Sequence, residues 1–325
     1  MSEACDLVVI GSFVQDHTWL TERFPAVGET LRASGFSTGP GGKGFNQAIA
    51  AHRQGARVLF IGAIGDDALG RAAQGWAREN GLACRWQVCP GVATAAAGIL
   101  VDAGGQNQIT VALGANEQLQ PAFLADQRAS LAGAGAVLVQ LENNLDAVAA
   151  ALALAADIGA RSVLNPAPVH PGLDPALLQR VDLVTPNETE FAQLLERFTG
   201  TAIDPGRVVE FSDDALHAWS RRLGVGTVVI TLGANGCFVS HAVGSPLAAG
   251  EPDRYRVAAQ SVDAIDTTGA GDAFNGALAA ALVQPDGRPF RVAVEHANRS
   301  AALSTTKIGA AAAMPTAAEV EARFG

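Results

Sequence analysis

Short apolar runs alternate with amphipathic stretches along most of the chain. Residues 7–10 form an apolar run closed by Gly11, the pattern of a buried strand. The same reading predicts strands over 57–64, 94–102, 108–113, 136–141, 162–165, 182–185, 227–232 and 236–241. Helical spacing covers 42–55, 66–80, 144–159, 188–198, 213–223, 271–283 and 290–306, with Gly55 and Gly81 as stops. Strands that alternate with such helices imply an α/β fold whose mostly parallel sheet is covered on both faces. Sheets of this kind bind ligands beyond the carboxyl ends of their strands. Two β-like stretches, about 14–40 and 94–113, break the alternation and read as one small projecting sheet, a lid. Residues 196–212 are the least patterned and read as a surface connection. No internal repeat or linker divides the 325 residues, so a single domain over 1–325 is expected.

Composition narrows the function more than the fold. With 49% hydrophobic and 17% charged residues, extensive disorder is excluded. The net charge of -10, without a basic run, argues against nucleic acid and against an anionic membrane surface as partners. No apolar stretch of membrane-spanning length is present, and the N-terminus lacks a basic secretory region. The four cysteines form no C-x-x-C pair, which disfavours structural zinc and fits reduced thiols in a cytoplasmic protein.

Four glycine-rich or capped segments carry the candidate chemistry. In Asp266-Thr267-Thr268-Gly269-Ala270-Gly271-Asp272, small residues run straight into an Ala-rich helix. Their backbone N–H groups, with the helix dipole, can hold an anion beside the Asp272 carboxylate. A carboxylate so placed can take a proton from a hydroxyl, although an isolated Asp272 would read equally well as a helix-capping residue. In Gly39-Pro40-Gly41-Gly42-Lys43-Gly44-Phe45-Asn46-Gln47, Lys43 and Asn46 share one face of a helix start. The chain holds two lysines against twenty arginines, so a lysine kept in a glycine loop suggests a need for a compact ammonium. This segment is not a P-loop. Asn187 and Glu190 fit a capping box, or an amide and a carboxylate around hydrated magnesium and phosphates. Thr231 to Gly236 offers hydroxyl and backbone donors after a strand.

Together these segments resemble the PfkB, or ribokinase-like, family of carbohydrate kinases. The resemblance runs through Gly11-Ser12, Asp16-His17, Gly28-Glu29-Thr30, Gly41 to Gly44, Gly65-Asp66-Asp67, Gly114-Ala115-Asn116, Gln140 to Glu142, Asn165 to Pro168, Thr185 to Glu190, Asp266 to Asn275 and Gly309, nearly the whole chain. It implies a three-layer α/β/α sandwich with a β-sheet lid that often makes a homodimer contact. It also implies transfer of the γ-phosphoryl group of ATP to a primary hydroxyl of a small sugar. Ribose, giving ribose 5-phosphate, is expected before deoxyribose, a ketohexose or a nucleoside. Asp272 would be the catalytic base, and Gly269, Ala270 and Gly271 the anion hole. Asp16, Gly42, Lys43, Asn46 and Glu142 would hold sugar hydroxyls. Asn187 and Glu190 would lie near the nucleotide phosphates and the waters of Mg2+. Thr231, Gly233 and Gly236 would touch the nucleotide, and Asn298 would lie near adenine. Asp266 and the carbonyl of Thr268 would hold a monovalent cation, usually K+, together with backbone of residues 304–313.

Two departures bear on the sugar. Val14 stands where the family's ribose kinases have asparagine, removing a hydrogen-bonding partner, and Phe45 replaces an alanine and is expected to add bulk beside the substrate. The run Ala310 to Ala313 lacks the polar residues often found there. A sugar or nucleotide sensor without catalysis would have no reason to keep Asp272. A nicotinamide-dependent oxidoreductase is disfavoured because Gly11-Ser12-Phe13 opens no G-x-G-x-x-G fingerprint.

Overall fold

A computed structural model describes residues 5–325. Its strands, in chain order, are β1 (Leu7–Ile10), β2 (Val14–Leu20), β3 (Gly35–Gly41), β4 (Val58–Gly65), β5 (Ala83–Cys89), β6 (Ala96–Val101) and β7 (Asn107–Ala112). They continue as β8 (Ala136–Val139), β9 (Arg161–Leu164), β10 (Leu183–Val184), β11 (Thr227–Thr231), β12 (Cys237–His241) and β13 (Arg254–Val257). Nine of them form one sheet in the order β13-β12-β11-β10-β9-β8-β1-β4-β5. All neighbours are parallel except the β11–β12 and β12–β13 pairs, so the sheet is mixed at one edge. Strands β1, β4 and β8 are buried along their whole length, as continuous apolar runs must be when helices cover both faces. Two hydrophobic clusters, one on each face, give the α/β fold its layers.

The remaining four strands form a second sheet, β3-β2-β6-β7, drawn from the two segments that interrupt the alternation. Here β2 pairs antiparallel with β3 and parallel with β6, and β6 pairs antiparallel with β7. Its own core is only Val14, Ala95 and Ala97, with Ile99 packed alongside.

Several elements differ from the sequence reading. Strand β5 lies outside the predicted strands: it is an edge strand that exposes Arg85 and Val88 and buries only Cys89, so it lacks the apolar run of the central strands. Strand β13 and the terminal helix Ala317–Phe324 are also additional, the latter opened by a capping box of Thr316 and Glu319. Residues 196–212 are not merely a connection. They hold the end of the Glu188–Thr199 helix and a 3-10 turn, Pro205–Glu210, that plants Val208 fully in the core.

Two helices frame the centre of the molecule, Lys43–Arg53 and Ala270–Leu282. They touch at Gly276, where an added Cβ would lie 2.5 Å from both the Ala50 Cβ and the Gln47 carbonyl oxygen. Only glycine permits this approach. At its far end the first helix sends Arg53 to the carbonyls of Ala312 (3.1 Å) and Met314 (2.6 Å), and Gln54 follows to Pro315 (2.8 Å). Among the described residues, no helix is long and apolar enough to cross a membrane.

Candidate active site

The carboxyl ends of the parallel strands deliver polar side chains to one place. Strand β1 leads into Ser12, β8 into Gln140, β9 into Asn165 and β10 into Thr185. Each is buried, and each is one of the few polar groups the surrounding apolar core admits. Across from them start the two central helices.

Asp272 lies in the first turn of its helix and is 7% exposed. Its Oδ2 accepts from Asn46 Nδ2 and its Oδ1 from Gln47 Nε2, both at 2.9 Å. Burial pushes its pKa upward. The Lys43 ammonium and these two amide donors oppose that push, and the Glu142 charge adds to it. Lys43 is itself half-buried, and this desolvation works against its charge, yet Asp272, Glu142 and Glu190 outweigh it and hold its pKa above the ordinary lysine value. Asn46 keeps its Oδ1 buried without a partner, an acceptor suited to a hydroxyl donor.

Glu142 accepts from the Lys43 backbone N–H at 2.9 Å and from the Ser12 hydroxyl, so it fixes the glycine loop to the end of β1. Gly42 has φ of 88°, and a Cβ there would meet the Val14 nitrogen at 2.7 Å. A Cβ on Gly41 would strike the Asp16 carboxylate at 2.1 Å. The loop therefore needs both glycines to bring lid and helix together. Asp16, from the lid strand β2, is pushed up to about 7, first by burial and then by Glu142 and Asp272.

At the start of the Ala270–Leu282 helix, Gly269 takes a left-handed conformation (φ 76°). The Ala270 N–H closes that turn onto the Thr267 carbonyl at 3.2 Å. Of the three residues expected to form an anion hole, Ala270 thus has its donor engaged. Gly271 faces open space: an added Cβ would have nothing within 4 Å.

Asn187 and Glu190 form a full capping box, with Glu190 N–H to Asn187 Oδ1 at 2.9 Å and Asn187 N–H to Glu190 Oε2 at 2.9 Å. The capping-box reading of this pair holds, and the cap also keeps Glu190 within electrostatic reach of Lys43 and Asp272. Burial, set against the Asn187 N–H, raises the Glu190 pKa. Asn187 bridges Thr231 at the end of β11, which brings the third and fourth segments side by side. Gly233 (φ 50°) has open space where a side chain would be, while a Cβ on Gly236 would strike the Val257 carbonyl at 2.0 Å. Asn298 is buried behind this region, donating to the Val257 carbonyl at 3.4 Å.

Asp266 ties two loops, accepting from Thr268 N–H and Gly309 N–H at 2.9 Å each. Burial opposes its charge, but these donors prevail and hold its pKa below the usual aspartate value. Among the described residues no three His, Cys, Asp or Glu side chains cluster as metal ligands. A carboxylate between backbone loops is a hard-oxygen setting, which fits a monovalent cation held mainly by carbonyls. For magnesium, Glu190 has both oxygens in the cap, which fits contact through water more than direct ligation.

One of the departures resolves differently from expectation. Phe45 adds no bulk beside the substrate. It is fully buried on the other face of its helix, edge-on to Phe13 and Phe60 and against Trp76 and Trp86. Val14 is 3% exposed within the lid's small core. Ser12, Gln47, Gln140 and Asn165 fall in segments that carry the family resemblance, but sequence reading gave them no role in the site. Their one signal was a polar residue directly after an apolar strand, or beside Asn46 on a site-facing helix turn.

Residues 5–317 match the family described as pfkB family carbohydrate kinase. A ribokinase of Haemophilus influenzae is 36% identical over 314 residues, covering 96% of each chain. A deoxyribokinase of Salmonella typhi is 32% identical over 318 residues, again covering 96% of each. An Arabidopsis thaliana ribokinase solved with ribose and ATP superposes with a TM-score of 0.81 at 29% identity, covering 98% of both chains. With a family match across nearly the whole sequence and the glycine loop, buried aspartate and helix start assembled in one place, the chain belongs to the pfkB family of carbohydrate kinases.

Proposed function

We propose that this carbohydrate kinase transfers the γ-phosphoryl group of ATP to the primary hydroxyl of ribose, giving ribose 5-phosphate and ADP. The observation that carries the reading is Asp272: a buried carboxylate held by two amide donors in the first turn of a helix whose start opens onto free space. Asp272 takes the hydroxyl proton as the sugar oxygen bonds to the γ-phosphorus and the bond to the bridging oxygen of ADP breaks. The helix start at Gly269 to Gly271 faces the charge on the transferred group. Asp16, Gly42, Lys43, Asn46 and Glu142 hold the sugar, and Asn46 Oδ1 accepts one of its hydroxyls. Thr231, Gly233, Gly236 and Asn298 hold the nucleotide, with Asn187 and Glu190 beside its phosphates. Bound Mg2+ would neutralise phosphate charge, and a monovalent cation, K+ by preference, would sit between Asp266 and the carbonyl of Thr268.

Ribose is preferred over deoxyribose because relatives of both names match at similar identity, but the ribokinase match is the stronger. The test is ADP release over a panel of pentoses, deoxypentoses, hexoses and nucleosides. Ribose is expected to give the highest kcat/KM; a tenfold preference for any other acceptor overturns the ribose reading. Potassium is expected to raise the rate over sodium, and Asp266→Ala to abolish that difference.

The lid supports a further proposal. Its face away from Asp16 carries exposed Trp19 and Phe36, opposite each other on β2 and β3, an apolar patch suited to a second copy of the chain in a homodimer. Phe36→Asp should then reduce the mass seen by light scattering to that of one chain. The cytoplasm is the compartment in keeping with four free cysteines and an ATP-dependent reaction.

A further inference from the structure

The buried amides behind Asp272 run in one direction. Gln140 Nε2 donates to Gln47 Oε1 at 2.6 Å, which leaves the Gln47 amide only donors to offer on its other side. Gln47 Nε2 gives them to Asp272 Oδ1 at 2.9 Å and Asn165 Oδ1 at 3.0 Å. Asn165 is oriented in turn by donating to the Thr185 carbonyl at 3.1 Å. Gln47 and Gln140 are at most 1% exposed, so water has little access to replace these bonds.

We propose that Gln47 is a positioning residue for the reaction, its amide locked by Gln140 and Asn165 so that it always presents N–H to Asp272 and keeps that carboxylate ionised and aimed at the sugar. The logic is one of polarity. A flipped Gln47 would set its carbonyl oxygen against the Asp272 carboxylate, and that pair could coexist only if Asp272 were protonated and unable to accept the hydroxyl proton. Asn165 forbids the flip: its Nδ2 is tied to the Thr185 carbonyl, so its Oδ1 would then meet the Gln47 carbonyl oxygen. Gln140 adds a donor to Gln47 Oε1, with its own Oε1 left without a partner.

The inference rests on Asp272 as the base. Other charges face Asp272 as well: Lys43 from the neighbouring helix favours its ionised form, while Glu142, Asp16 and Glu190 oppose it. Loss of one amide donor tips this balance toward protonation. A hydrogen bond to an ionised group shifts a pKa by roughly one unit.

The experiment is the pH profile of kcat at saturating sugar, where an effect of Asp16 on KM drops out, in wild type, Gln47→Leu, Gln140→Leu and Asp272→Asn, with folding checked by circular dichroism and ADP affinity by calorimetry. The acid limb is expected to move up by about one pH unit in Gln47→Leu and by a smaller amount in Gln140→Leu, with ADP affinity within about twofold of wild type. Gln47→Met, of similar length, uncharged and lacking the donor, should move the limb as far as leucine does. It serves as the deciding variant if leucine prevents folding. A uniform loss of rate at all pH values, with the limb unmoved, overturns the proposal and leaves Gln47 a packing residue. A wild-type acid limb that persists in Asp272→Asn would instead refute Asp272 as the base, a separate failure.

Discussion

The nine-stranded sheet and the four-stranded lid answer to opposite demands. In the first, β1, β4 and β8 are buried along their entire length, and helices cover both faces. In the second, all six residues of β7 are exposed and the core is a few small side chains. Yet each contributes to one site: Asp272 stands on the buried framework and Asp16 on the lid. A group that exchanges a proton in a fixed geometry gains from a rigid setting. A group that recognises a ligand and then releases it gains from an element with few contacts to break. The division predicts that damage to the framework removes chemistry or folding, whereas damage to the lid alters recognition.

The largest effect is expected at the framework. Asp272→Asn should cost about 10²–10⁴-fold in kcat while ADP binding persists. Phosphorylation within a few-fold of wild type would remove Asp272 from its role. Next comes Gly276→Val, which forces a side chain between the two central helices where an added Cβ already finds 2.5 Å. Overpacking of this kind costs about 1–3 kcal/mol or more, read as a lower Tm. An unchanged Tm would mean that the helices can part, and the contrast between framework and lid would weaken.

On the lid, effects should be smaller and should fall on KM. Asp16 is held up at about 7, so it is protonated below that pH in the empty site and ionised above it. As an acceptor for sugar hydroxyls it works better ionised, so KM for the sugar should rise as pH falls through about 7. In Asp16→Asn that rise should vanish. The smallest effect is expected for Val14→Asn. Its side chain is packed against Ala95 and Ala97, and the new amide should raise the ribose to 2-deoxyribose ratio of kcat/KM by about tenfold at most. An unchanged ratio would make Val14 a lid-packing residue and nothing more.

What the sequence disclosed follows the same divide. Helices and buried strands were legible because apolar periodicity is a direct image of burial. Edge strand β5 was not, since Arg85 and Val88 meet water and only Cys89 is buried. The glycine loops were legible because glycine marks backbone that no other residue tolerates. Phe45 was misplaced because sequence nearness to Lys43 says nothing of helix face: two residue steps turn about 200° around the axis. Gln47 and Gln140 were visible as members of segments that carry the resemblance, but their contact was not, because only the fold brings together side chains 93 positions apart.

The pairing of β2 with β6 has a consequence for how such enzymes diversify. The lid is written into the chain as two separate insertions, one between β1 and the Lys43–Arg53 helix, the other between β5 and β8. The two meet only through a parallel register, Asp16 opposite Ala97 and Trp19 opposite Leu100. An exchange of one insertion with a relative would join mismatched faces, because a slip of one residue turns every side chain over. Recombination must therefore move both insertions together to yield a working chimera. When it does, the transplanted pair carries acceptor preference as a cassette, and the phosphoryl-transfer apparatus beneath it stays unaltered.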